Sequence, residues 1–204
     1  MKIFNILILI SIIPLVGVML LILIPGRYNS YCFNAALFIS SLTFILSLIM
    51  WLIFDSGHNS FQFLCTIDWL PAFNFYYTVG VDGISLFFLI LTTFLIMVCV
   101  LISWGSINYR LKEYLINFLL LEFLLIQVFS VLDLLLFYVF FESILMPMFL
   151  IIGIWGSRER KIRAAYQFFL YTLVGSVLML LGILIIYSHG GTTDLQMLWN
   201  LEFS

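Results

Sequence analysis

The chain has 204 residues, 65% of them hydrophobic and 9% charged, with a formal net charge of −2 and a mean hydropathy of +1.24. A soluble domain carries charge on about a quarter of its residues, so this composition excludes a soluble globular fold and implies an integral membrane protein. The absence of a basic patch argues against a nucleic-acid partner.

Lys2 precedes an apolar run from Ile3 to Ile24. The run is longer than a signal-peptide core of about 7–15 residues and lacks a small-residue cleavage site, so it reads as a first membrane helix. Nothing around it resembles an Arg-rich, Ser-rich transit peptide. Pro25-Gly26 ends it, and a second run extends from Cys32 to Phe54. The stretch from Asp55 to Val79 is too long for a turn. With Trp69-Leu70-Pro71 and the aromatics Phe73, Phe75, Tyr76 and Tyr77, residues 55–79 are expected to form a loop along the membrane interface.

Asp82, in Val81-Asp82-Gly83-Ile84-Ser85, precedes the third run, Ile84 to Trp104, and stands where it can cap that helix's first amides. Three more runs follow, Leu115 to Leu132, Leu134 to Trp155 and Ala164 to Tyr187, separated at Asp133 and Gly156 and ended by Gly190-Gly191. Each run is long enough to cross a hydrocarbon core about 30 Å thick. The expected fold is therefore an all-α bundle of transmembrane helices spanning about residues 3–24, 32–54, 84–104, 115–132, 134–155 and 164–187. Gly175 and Gly182 mark a face of the last helix suited to close packing.

Sorting basic residues by alternate loops puts Arg27, Arg110, Lys112, Arg158, Arg160, Lys161 and Arg163 on one side and Lys2 on the other. The positive-inside rule then turns the N-terminus outward. The basic cluster from Arg158 to Arg163 is mainly this orientation signal and a possible contact for anionic lipid heads. Cys32, Cys65 and Cys99 are too widely spaced for a metal site and read as small apolar residues.

One residue in these spans is costly. Glu142 lies inside the apolar run from Leu134 to Trp155, and an ionised carboxylate at mid-bilayer costs about 2.5–3.5 kcal/mol even on lenient scales. Glu122 lies inside the preceding run. The two stand 11 and 9 residues from the turn at Asp133, so at about 1.5 Å per residue their depths are roughly 16 and 13 Å. Antiparallel packing would put them at similar height, where two carboxylates cannot comfortably both ionise. At least one is expected to hold a proton near neutral pH, as a proton relay requires.

Tyr138 lies one turn before Glu142, and Pro147 lacks the N–H that would bond the carbonyl of Ser143. A hydroxyl, a carboxyl and a freed carbonyl could together hold a water. The plainer alternative is a protonated glutamate acting as glue between helices. Glu122, accompanied on its own span by Gln127 and Ser130, is equally open to that reading, and Asp82 is first of all a helix cap. No span carries Lys, Arg, His or Asp at depth, and His58 and His189 are read in loops. Haem, iron–sulfur, flavin or nucleotide binding is not expected, and neither a cofactor nor a metal is assigned.

The stretch from Leu132 through Phe137-Tyr138-Val139-Phe140-Phe141-Glu142-Ser143-Ile144-Leu145-Met146-Pro147 to Met148 resembles the subunit 4 family of mitochondrial NADH dehydrogenase, as do Ile154-Trp155-Gly156-Ser157-Arg158 and Ala165-Tyr166-Gln167-Phe168-Phe169-Leu170-Tyr171-Thr172. That family is an antiporter-like part of respiratory complex I. Gly80 to Phe88 and Gly191-Thr192-Thr193-Asp194-Leu195 look like the same family, and the resemblance is weaker before Trp69.

The resemblance implies the first part of an antiporter-like inverted-repeat fold that couples quinone reduction in other subunits to proton transfer. Glu142 matches the family's fifth-helix glutamate, which works with a lysine on a broken seventh helix, and Glu122 matches an acidic position of the fourth helix. The implied partners are other membrane-arm subunits of complex I and lipid, in the mitochondrial inner membrane with the N-terminus toward the intermembrane space. A full-length member has about fourteen helices in inverted repeats. The sequence stops where the broken helix would begin, so a split subunit with the lysine on a separate chain is expected. Two other functions remain open: a component of a multisubunit cation/proton antiporter, and a structural membrane-arm fragment without its own proton path.

Overall fold

A computed structural model of the chain describes residues 6–26, 29–57, 60–70, 75–107 and 109–199. In chain order these residues form α1 (Ile6–Leu23), α2 (Asn29–Ile53), β1 (Gln62–Leu70), β2 (Phe75–Val81), α3 (Gly83–Ile102), α4 (Leu111–Ser130), α5 (Leu134–Trp155), α6 (Lys161–Gly190) and the short α7 (Leu195–Leu198). The six longer helices are apolar and long enough to cross a membrane. Their ends fall within a few residues of the runs expected from hydropathy, α4 starting four residues before its run and α6 extending three residues beyond its run at both ends. Its 30 residues measure about 45 Å, because backbone hydrogen bonding does not stop where apolar side chains give way to Lys161 or His189. His189 accordingly sits in the last turn of α6, not in a loop.

The expected interfacial loop over residues 55–79 is largely a β-hairpin. β1 and β2 pair antiparallel, with Cys65 opposite Val79 and Ile67 opposite Tyr77. The reason is a period-2 pattern: Tyr77, Val79 and Val81, with Phe63 and Cys65 from the other strand, turn one face onto a cluster holding Leu7, Ile10, Met50, Leu86, Leu89 and Ile126. Gly80 lets the hairpin close on the α4–α5 turn, since a Cβ there would come within 2.9 Å of Leu132. Pro71 and Phe73, and the side chains of Trp69, Phe75 and Tyr76, lie outside the described residues, so their expected interfacial placement does too.

Helices α1 to α4 enclose a second cluster around Leu21, Ala36, Ile39, Val100, Leu115 and Leu119. Gly17 makes it tight: a Cβ on it would come within 2.8 Å of Ile39 and 3.0 Å of Leu119, so α1 meets α2 and α4 almost backbone to side chain.

The two ends of the bundle are knitted differently. At one end Lys112 Nζ donates to the carbonyls of Ile22 and Ile24 at 2.9 and 2.7 Å, Lys161 Nζ donates to Ile154 O at 2.6 Å, and Trp155 Nε1 donates to Tyr109 O at 2.9 Å. Arg110, Lys112, Arg158, Arg160, Lys161 and Arg163 all belong to this end, whereas Lys2 and Arg27 lie outside the described residues. At the other end the hairpin, the α4–α5 turn and the segment after α6 join by backbone bonds: Leu132 N to Thr78 O at 2.9 Å, Leu134 N to Thr193 O at 3.0 Å, and Leu195 N to Leu132 O at 2.9 Å.

Candidate functional site

Glu122 is fully enclosed, 0% exposed, on the face of α4 that meets α2. Thr43 Oγ1 lies 2.5 Å from its Oε1, while Oε2 is buried without a hydrogen-bond partner. Thr43 belongs to a stripe of enclosed hydroxyls on α2, with Ser40 and Ser47. These residues fall at spacings of three and four, so they share one helical face. Ser47 reaches across to Thr93 of α3 at 2.9 Å.

Glu142 is half-buried on α5, and its Oε2 is likewise enclosed without a partner. Phe140 faces α4, where its ring stands 6.3 Å from that of Phe123. Two residues further, Glu142 points about 200° around the helix from Phe140, and so away from α4. Its stripe continues through Met146, which is 67% exposed, to Phe149 and Gly153. These positions belong to the α6 side: Phe149 packs on Tyr166 and Phe169 with centroids 5.4 and 5.7 Å apart, and Gly153 lies against Ala165. Met146, Phe149, Tyr166 and Phe169 line an open apolar groove one turn from Glu142.

The expected pairing of Glu122 with Glu142 is therefore not what the packing produces. They lie on adjacent helices but turn to opposite sides, Glu122 inward to α2 and Glu142 toward α6. Among the residues around Glu142, Pro147 is buried inside α5, which continues past it, and Ser143 donates its hydroxyl to Val139 O at 2.7 Å. Tyr138 is half-buried one turn before Glu142.

Asp82 and Asp133 each stand at a helix N-terminus. Asp82 closes a capping box on α3, accepting from Ser85 N at 2.7 Å while Ser85 Oγ accepts from Asp82 N at 2.9 Å. Asp133, 4% exposed, caps α5 by accepting from Leu135 N and Leu136 N and takes the Thr193 hydroxyl on its other oxygen at 2.5 Å. On α4, Gln127 and Ser130 do not serve Glu122: Gln127 Oε1 accepts from Tyr77 of the hairpin at 2.5 Å, and Ser130 donates back to Ile126 O. Burial of its phenol pushes Tyr77 up to about 12, against the smaller opposing effect of the bond to Gln127. The sequence reading did not find Thr43, Thr93 or Thr193. The hydroxyls at 40, 43 and 47 in an otherwise apolar span were the available signal.

Among the described residues, two carboxylates lie within long apolar helices of a membrane-protein bundle, and no basic side chain bonds to either of them, a placement that marks both as functional-site candidates. The family described as "NADH:quinone oxidoreductase/Mrp antiporter, TM" matches residues 131–203. The chain is 65% identical over 204 residues to NADH-ubiquinone oxidoreductase chain 4 of Chondrus crispus, covering 100% of this chain and 42% of that one. It is 56% identical over 191 residues to the same protein of Arabidopsis thaliana, covering 94% and 39%. Its fold matches a chain of "Respiratory complex I from Thermus thermophilus with bound NADH" with a TM-score of 0.81 and 29% identity, over 97% of this chain and 40% of that one. The chain is a homologue of NADH-ubiquinone oxidoreductase chain 4 and spans about two-fifths of the length of these relatives, at their N-terminal end.

Proposed function

We propose that these residues form the N-terminal part of an antiporter-like, proton-translocating subunit of NADH:ubiquinone oxidoreductase in the mitochondrial inner membrane. Glu142 is the residue that exchanges a proton, and Glu122 is a second proton-bearing group of the relay on the far side of the α4–α5 contact. Redox chemistry belongs to other subunits, and no cofactor sits on this chain. The observation that carries the reading is the state of Glu142: an enclosed oxygen without a partner, on a stripe that leads to the open groove between α5 and α6.

That groove gives a lysine outside these residues a way to reach Glu142. In such a pair the cation favours the charged carboxylate and desolvation opposes it, so a change in separation switches proton affinity. The partners are the other membrane-arm subunits. Lipid is a further contact, supported by the open pocket that Arg160, Arg163 and Gln167 form at the start of α6. The loop charge supports an N-terminus toward the intermembrane space.

Replacing Glu142 with Gln in the assembled complex is expected to depress proton pumping and coupled quinone reduction while the complex still assembles. Normal pumping by that variant would remove Glu142 from the mechanism. The family description that matches also covers cation/proton antiporters. Co-purification with quinone-reducing subunits separates the two readings, and the identity to chain 4 relatives favours the respiratory one.

A further inference from the structure

The hydrogens around Glu122 do not add up for a carboxylate. Thr43 Oγ1 lies 2.5 Å from Glu122 Oε1 and also 2.8 Å from the carbonyl oxygen of Ser40. A threonine hydroxyl has one proton to give and lone pairs with which to receive. If that proton goes to Ser40 O, the contact with Glu122 needs a proton on the glutamate. The ionised alternative would leave Oε2 charged, enclosed and without a donor. It would also find no cation: α1, α2, α3 and α5 carry no Lys, Arg or His, and on α4 Lys112 is spent on the carbonyls of α1 at the bundle's end. Of the other carboxylates on these helices, Glu113 lies in the first turn of α4 and pairs with Arg110 at the bundle's end, and Glu142 turns toward α6. A neutral carboxylic acid leaves unpaired only a carbonyl oxygen, a far smaller cost than a buried unpaired charge.

We propose that Glu122 is held as a neutral acid, its Oε1–H donating to Thr43 Oγ1 and the Thr43 hydroxyl donating to Ser40 O, so that Thr43 is the positioning residue for a stored proton. The direction of donation has a consequence. The chain ends on a backbone carbonyl, which does not take up and pass on a proton, so Thr43 holds the proton in place and gives it no exit. Exchange at Glu122 therefore requires Thr43 to rotate or a new partner to reach Oε2. This inference rests on the reading above only in treating Glu122 as proton-bearing; it makes Glu122 the slow, enclosed member and Glu142 the accessible one.

The test is infrared difference spectroscopy on the intact complex. Subtracting the Glu122→Gln spectrum from wild type is expected to reveal the carbonyl stretch of one protonated carboxyl group. Gln can keep a donor toward Thr43, so assembly is expected to survive. Thr43→Val, or Thr43→Ala where valine is not tolerated, is expected to shift that band to higher frequency by removing the acceptor, and Thr43→Ser to restore it. Loss of carboxylate bands in place of the carbonyl stretch would overturn the neutral state, and a band indifferent to Thr43 would overturn its role. Neither readout depends on pumping, so failure here leaves Glu142 untouched, and a pumping Glu142→Gln variant leaves this band in place.

Discussion

Helices α1 to α4 and helices α5 and α6 follow two different packing regimes in one chain. Half of the apolar window of α4 is buried, but only 17% of that of α5 and 11% of that of α6. The glycines make the contrast concrete. Gly17 admits no Cβ without moving Ile39 and Leu119, whereas Gly175 and Gly182, expected to mark a close-packing face of α6, meet nothing within 4 Å. The carboxylates sort the same way: Glu122 is sealed in the closed block, and Glu142 stands on the open side. A membrane protein can leave a helix face bare for lipid, but an acid one turn from such a face is a functional-site candidate.

The largest test of this contrast is a matched pair of substitutions. Gly17→Leu is expected to destabilise the bundle by about 1–3 kcal/mol through overpacking, read as a lower melting temperature of the purified complex. Gly175→Leu, entering open space, is expected to change stability by no more than about 0.5 kcal/mol. A loss at Gly175 as large as at Gly17 would break the comparison, because it would mean that the open face of α6 is closed by a partner in the complex.

The ends of the bundle can be tested next. Asp133→Ala removes the cap of α5 and the acceptor for Thr193 together, with an expected cost of about 1–2 kcal/mol. The damage should be local. Faster backbone hydrogen exchange is expected at Leu195, whose N–H bonds to Leu132 O, and through α7, while the amides around Gly17 stay protected. Uniform acceleration would show that the turn holds the closed block together as well as its rim.

The helices were legible in the sequence because membrane spans are defined by a run of apolar residues, and that information is local. Glu142 was legible for the same reason, as an exception to its own run, and Asp82 because a capping box is written in four consecutive residues. The hairpin was not legible although Tyr77, Val79 and Val81 alternate, because a run of aromatic residues fits a membrane interface as well as a strand. Partners were not legible. Thr43 and Glu122 are 79 residues apart, and nothing in either span names the other. Equal depth from Asp133 placed Glu122 and Glu142 together, but depth says nothing about rotation, and rotation is what separates them.

The hairpin bears on the closed block through Tyr77 and Gln127. Tyr77→Phe is expected to cost about 1 kcal/mol for the lost hydrogen bond, and its pH dependence identifies the phenol. Because the folded phenol titrates near 12 in place of 10.0, its contribution is fully present below pH 10 and is lost as pH rises through 12, where the folded form also ionises. Wild type should therefore exceed Tyr77→Phe in stability by a constant amount below pH 10, then lose ground to it between pH 10 and 12 and end below it. A difference that persists unchanged through pH 12 would mean that the phenol is not buried as described.

A small effect is also expected inside the closed block. Thr93→Val breaks the contact with Ser47, yet Ser47 keeps Phe44 O at 2.7 Å, and the lost Thr93 hydroxyl is bonded mainly within its own helix, to Ile90 O at 3.0 Å and Leu89 O at 3.2 Å. No buried group is orphaned, so the loss should stay near the average for an interhelical hydrogen bond in a membrane, about 0.6 kcal/mol. Thr43→Val is the informative counterpart, because it orphans Glu122, whose Oε2 already lacks a partner. If the two threonine variants destabilise the complex equally, the hydroxyls on α2 and α3 are interchangeable glue. If Thr43→Val costs clearly more, the enclosed carboxyl depends on its one neighbour, as a stored proton would.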